Sequence, residues 1–198
     1  MFFRFFGHCF LVCGLMVSAA QAAVVLQLDL STVNQVTISA TSGLSLVSKS
    51  GSDNVGVYLK DFFPLGGSDF DINSDAGGSL VYFNATSDGT PGLFRDEDDP
   101  GLNIYSMDNG TPNPASFTAG VQAFKGSATW SLTAQQYAVF LQAPTSGDVY
   151  AFADTINDLN GGPQVIGQYS VVPEPTSMAI FGLGALGMAY RARRKRMV

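Results

Sequence analysis

Cysteine and histidine are nearly absent from this 198-residue chain, and charge is scarce. The two cysteines, Cys9 and Cys13, and the one histidine, His8, all fall within the first thirteen residues. From residue 23 onward there is no thiol and no imidazole. That excludes a disulfide framework, a Cys/His zinc site and any triad built on histidine. Charged residues make up 13% of the chain, about half the usual quarter, while 46% are apolar, which excludes a highly charged disordered protein. No G-x-S-x-G elbow, phosphate loop or dinucleotide fingerprint occurs. Between residues 23 and 172, Glu97 is the one glutamate against fourteen aspartates, so no carboxylate pair is singled out for glycoside hydrolysis. The chain is not expected to be an enzyme.

What is present is unevenly placed, and the chain divides into three pieces. Met1 to Arg4 gives a short positive start, Phe5 to Val17 is almost wholly apolar, and Ser18 to Ala22 ends in an A-x-A pattern. The apolar run is too short for a span of ~20 residues and fits a secretory leader at 1–22, cut between Ala22 and Ala23. Neither cysteine follows a small residue, so lipidation is excluded. Export through the Sec machinery and cleavage by signal peptidase follow from this leader.

The other end has three parts in order. Val172-Pro173-Glu174-Pro175 precedes an uncharged stretch from Thr176 to Tyr190, and Arg191, Arg193, Arg194, Lys195 and Arg196 follow at once. As a helix the stretch spans ~22 Å, short of a ~30 Å hydrocarbon core, so flanking Tyr190 and Arg191 must extend it. A transmembrane helix at about 176–190 is expected, with the basic tail 191–196 cytoplasmic and everything before Pro173 outside. This tripartite end resembles the PEP-CTERM sorting signals of Gram-negative bacteria, with Pro173, Glu174 and Pro175 as the motif. The resemblance covers 173–198 alone. It implies transient membrane anchoring, recognition by an exosortase, and placement at the cell surface or in an exopolysaccharide matrix of the kind found in biofilms.

The 23–172 segment alternates with period two. Leu26, Leu28 and Leu30 share one face, as do Val36 and Ile38. Strands are expected at 24–30, 35–40, 55–62, 80–85, 102–107, 123–132, 148–153 and 165–172, separated by Gly, Pro and Asn/Asp-Gly breakers. This pattern predicts one mainly β domain, an antiparallel sandwich or jelly roll. Thr133-Ala134-Gln135-Gln136 fits a capping box, with Tyr137, Phe140 and Leu141 at helical spacing, so one short helix is expected. Trp130, alternating with Ala128 and Leu132, is expected in the core.

The segment holds four basic and fifteen acidic residues, a formal charge of −11, against −6 for the whole chain. Such a domain suits neither nucleic acid nor anionic lipid. Nine acidic residues and one base, Arg95, lie between Asp69 and Asp108. Asp69, Asp71, Asn73 and Asp75 place oxygen ligands at alternate positions, as a calcium loop does, although Ser74 and Leu80 stand where an EF-hand needs glycine and glutamate. Asp96-Glu97-Asp98-Asp99 offers further ligands from a neighbouring loop. Calcium is the one cofactor this pattern suggests. Two functions are carried forward: a structural protein of the surface or matrix, and a module binding extracellular polysaccharide through loop aromatics such as Tyr58, Phe94 and Tyr105, with calcium as an aid.

Overall fold

The period-two pattern is realised strand by strand in the computed structural model, which describes residues 23–74, 78–86, 91–108, 114–162 and 164–172. β1 (Val24–Asp29) buries Leu26 and Leu28 and exposes Gln27 and Asp29, and β2 (Gln35–Ala40) buries Val36 and Ile38. β3 (Lys49–Ser52), β4 (Val57–Leu59), β5 (Phe70–Asn73), β6 (Val81–Tyr82), β7 (Gly92–Arg95), β8 (Leu102–Tyr105) and β9 (Pro114–Phe117) follow, all short. Next come β10 (Phe124–Lys125), β11 (Ser127–Ser131), α1 (Ala134–Phe140), β12 (Ser146–Ala151), a 3₁₀ turn (Ile156–Gly161) and β13 (Val165–Val172).

Nine strands form one sheet in the order β11-β2-β1-β13-β12-β4-β8-β7-β5, and β10–β6 and β3–β9 form two-stranded ribbons. The mainly β expectation holds. Its finer form needs correcting, because β1 and β13 pair in parallel, Leu28 opposite Val171 and Asp29 opposite Val172. The two strands come from opposite ends of the domain sequence, so no hairpin dictates their direction. The sheet also curls almost shut instead of dividing into two layers. Trp130 on β11, one edge strand, donates its indole N–H to the carbonyl of Pro91, just before β7, at 3.0 Å. As expected, Trp130 is fully buried.

The expected strand 123–132 breaks at Gly126, whose φ of +79° takes the chain out of β geometry; a side chain there would meet the Ser79 carbonyl oxygen at 2.0 Å. The expected strand 55–62 contracts to β4, buried on both faces, Tyr58 included. The capping box forms as read: the Gln136 N–H donates to Thr133 Oγ1 at 3.2 Å and the Thr133 N–H to Gln136 Oε1 at 2.8 Å. Tyr137 and Phe140 carry α1 into the core, and the Tyr137 hydroxyl donates to the Leu30 carbonyl at 2.7 Å. Leu141 is the helix C-cap and is exposed.

Two aromatic clusters fill the ends of the interior. Phe62, Phe63, Phe70 and Phe140 meet beneath α1, mostly edge to face, with Tyr169 against Phe62. Tyr82, Phe117, Phe124 and Phe152 pack under the two small ribbons. Among the described residues no helix is long and apolar enough to cross a membrane. The expected span 176–190 lies outside them, as do the leader through Ala22, the motif Pro173, Glu174 and Pro175, and the basic residues Arg191, Arg193, Arg194, Lys195 and Arg196.

Candidate functional site

The loops on either side of β5 and β7 are tied together by Arg95. This arginine ends β7 and is 2% exposed. Its Nε–H donates to the Asp99 carbonyl at 2.8 Å, and Nη2 donates to the carbonyls of Pro64 and Gly66, both at 3.1 Å. The guanidinium carbon sits 4.5 Å from the centroid of the Phe63 ring. Burial pushes the Arg95 pKa below its ordinary value, and the nearby Asp99 and Asp98 oppose that, so the group stays charged.

Asp99 is buried as well, and its carboxylate is fully engaged. Oδ1 accepts from the Tyr58 hydroxyl at 2.5 Å and from the Gly101 N–H at 2.7 Å; Oδ2 accepts from the Ile156 N–H at 2.8 Å. Burial, then the Asp99 carboxylate, pushes the Tyr58 pKa well above its ordinary range. Asp98, at φ +61°, accepts from the Gly67 N–H at 3.2 Å, and Asp96 accepts from the Glu97 N–H at 3.0 Å. The acidic run therefore builds its own loop and pins it to two others, instead of lending ligands to a neighbouring site.

Beside this knot, between α1 and the start of β5, runs an open groove of about 280 Å³. Ser68, Asp69, Phe70 and Arg95 line one side, and Thr133, Gln135, Gln136 and Val139 the other. Gly67 lets the loop pass over the arginine. Its φ is +139°, and a side chain there would stand 2.7 Å from Arg95 Nη1. Asp69 and Gln135 are exposed, and Phe70 and Val139 are half-buried. The groove thus joins donors, one carboxylate and a short apolar wall.

The residues read as calcium ligands are arranged differently from a loop. Asp71 and Asn73 lie along the extended, edge-strand β5, where same-face neighbours stand about 7 Å apart, so the chain does not curl round one ion. Asp71 accepts from the Tyr105 hydroxyl, Asp69 faces the groove, and Asp75 lies outside the described residues. Among the described residues no three His, Cys, Asp or Glu side chains converge as a metal site would require. The three aromatics offered as loop contacts also sit elsewhere. Tyr58 is in the core, while Phe94 and Tyr105 are half-buried residues of β7 and β8. Sequence reasoning missed Phe70, Gln135 and Gln136 as groove residues. The one available signal was Arg95, the single base in an acidic stretch.

A further carboxyl pair lies where the 3₁₀ turn begins, next to the Asp99 knot that the Ile156 N–H joins. Asp158 accepts from the N–H groups of Thr155 at 3.1 Å and Asp154 at 3.2 Å, and from the Thr155 hydroxyl at 3.3 Å. A hydrogen bond to Asp158, then burial, pushes the Asp154 pKa up to about 6, while the same bond holds Asp158 below its ordinary value.

Residues 171–195 match the family model of the PEP-CTERM protein-sorting motif. The C-terminal tail is therefore a PEP-CTERM sorting signal, which implies an exosortase as processing partner and export with a membrane-anchored tail. The match takes in Pro173, Glu174, Pro175 and the basic residues through Lys195, and it begins within β13. No curated protein and no solved structure matches the chain.

Proposed function

We propose that this chain is an exported β-domain protein delivered by an exosortase to the cell surface or exopolysaccharide matrix of a Gram-negative bacterium, where it serves as a structural component and not as an enzyme. The sorting motif at 171–195 carries this reading. The leader at 1–22 and the charge of −11 over 23–172 agree with it, since they suit passage through Sec and solubility outside the cell. In the 23–172 domain no imidazole or thiol is available as nucleophile or base, which leaves carboxylates and hydroxyls that the described structure largely spends on its own loops.

The test is to express the chain in an exosortase-bearing host and in the same host lacking that enzyme. Intact mass of the surface fraction should show loss of the tail only where the exosortase is present. Identical masses and identical fractionation in the two hosts reject the reading. A second reading, a module that binds extracellular glycan, is favoured by the groove between α1 and β5.

A further inference from the structure

We infer that, while the tail is anchored, the domain rests on the lipid bilayer at the end of the sheet from which the tail leaves, with Val33 and Leu141 at the lipid interface and the acidic loops turned away. This rests on the reading of the tail as a membrane anchor and adds how the domain sits on it.

The starting observation is how little chain separates fold and anchor. β13 is paired through its last residue, Val172 opposite Asp29, and the expected span begins at Thr176. Those four residues reach at most about 14 Å when fully extended. A domain on a long linker is free to choose its orientation. This one has the end of its sheet held close to the membrane surface.

Two exposed apolar side chains flank the exit. On one side the Leu30 N–H donates to the Val172 carbonyl at 3.3 Å, and Val33 follows three residues later. On the other the Val171 N–H donates to the Thr145 carbonyl at 2.8 Å, and Leu141 stands four residues earlier. Val33 is 69% exposed and Leu141 45%. Val33 and Asn34 form the tip of the turn that the Gln35 N–H closes on the Thr32 carbonyl at 3.2 Å, a place that favours Gly, Asn, Asp or Ser. Exposed apolar side chains scattered singly are ordinary. These two are set apart by standing beside the point where the anchor begins.

Charge decides which way the domain leans. Residues 30–48, 126–147 and 159–173 contain no charged side chain, in a domain whose formal charge is −11. They supply β2, β11, α1 and β13. β1, between β2 and β13, adds only Asp29, whose carboxylate accepts from the Ser31 N–H at 2.8 Å. Asp61, Asp69, Asp96, Glu97 and Asp98 stand in loops of β4, β5 and β7, in the other half of the sheet order. An anionic lipid surface repels those loops and leaves the uncharged half alone. Two side chains hold a bilayer only marginally by themselves, so the domain lets go once the anchor is cut.

The lack of thiols past Cys13 makes the test direct, because the chain without its leader, 23–198, takes a single labelled cysteine at any chosen place. The variants are Val33→Cys, Leu141→Cys, Leu65→Cys and Leu46→Cys, all at exposed positions, with Leu65 the most exposed at 82%. Leu65 lies between Pro64 and Gly66, whose carbonyls accept from Arg95 beside the acidic run, and the Leu46 N–H donates to the Ile166 carbonyl at the far end of β13. Each carries a fluorophore and is reconstituted in vesicles of phosphatidylcholine and phosphatidylglycerol with a nitroxide high on the acyl chain, and flotation with the vesicles is recorded alongside. The labels at positions 33 and 141 should lose most of their fluorescence, and those at 65 and 46 little of it. Equal quenching at all four, strongest quenching at 65, or none at 33 and 141 in protein that floats overturns the proposal and leaves the anchor in place. Protein that does not float with the vesicles overturns the anchor, and the proposal with it.

Discussion

The hydroxyl of Tyr58, on a central strand, donates to the carboxylate of Asp99 at 2.5 Å, across 41 residues of sequence. The same carboxylate holds the N–H groups of Gly101 and Ile156, so one side chain joins β4, the loop after β7 and the 3₁₀ turn. Removing it leaves three donors in or near the core without an acceptor, each worth ~1–3 kcal/mol. Asp99→Ala should therefore cost about 3 kcal/mol or more in urea unfolding. Glu97→Ala, two residues away and exposed, should stay within about 0.5 kcal/mol of the parent. Equal effects for the two would show that the acidic run is solvated surface after all.

The capping box at Thr133 gives a smaller and separable effect. Thr133→Ala removes the acceptor for the Gln136 N–H and should lower stability by ~1 kcal/mol. Because α1 carries Tyr137 and Phe140 into the core, the loss should appear in global unfolding and not as local fraying. A shift in the urea midpoint at unchanged slope would confirm this; no shift would mean that packing alone sets the helix.

Asp154 and Asp158 predict how stability follows pH. The Asp154 pKa is raised to about 6 from 3.8, so its contribution is complete below its unfolded value and is lost as pH rises through about 6. The Asp158 pKa is lowered, so its contribution is present above its unfolded value and lost as pH falls through the folded one. The pair is best off with one proton, at pH between about 4 and 6. Burial raises the Asp53 pKa too, and its contribution declines in the same direction as pH rises. The melting temperature should fall from about pH 5 to about pH 7.5. Asp154→Asn, which keeps a donor toward Asp158 at every pH, should shrink that fall, and at about pH 7.5 the variant should melt above the parent. A parent-like slope in the variant would sink this account.

Local signals in the sequence carried most of the fold, and long-range pairing the rest. β1, β2 and β13 were legible because apolar residues alternate over six to eight positions, and α1 because Thr133 and Gln136 stand three apart. β3 was not legible, since Lys49–Ser52 has no apolar residue and becomes a strand only against β9, Lys49 opposite Phe117. The parallel register of β1 with β13 leaves no local trace. The groove was half legible. Arg95 stood out by charge, but the approach of Gln135 and Phe70 depends on how α1 lies against β5, a long-range placement with no local signal. Asp69, Asp71 and Asn73 were ambiguous in sequence because ligand spacing in a loop and same-face spacing on a strand are both every second residue.

The sorting motif and the fold share residues, and that constrains where the tail can be cut. The family match begins at 171, while β13 runs to Val172 between β1 and β12 in the interior of the sheet. The Val171 N–H donates to the Thr145 carbonyl at 2.8 Å, and the Val172 carbonyl accepts from the Leu30 N–H at 3.3 Å. A cut before Val171 would take both bonds from a central strand, whereas a cut after Val172 takes neither. The processed chain is therefore expected to end at or beyond Val172, by intact mass, and to melt at the same temperature as the unprocessed one. A mature C-terminus before Val171 on a protein that still melts cooperatively would show that the last turn of pairing contributes nothing. It would also place the domain boundary before the end of β13.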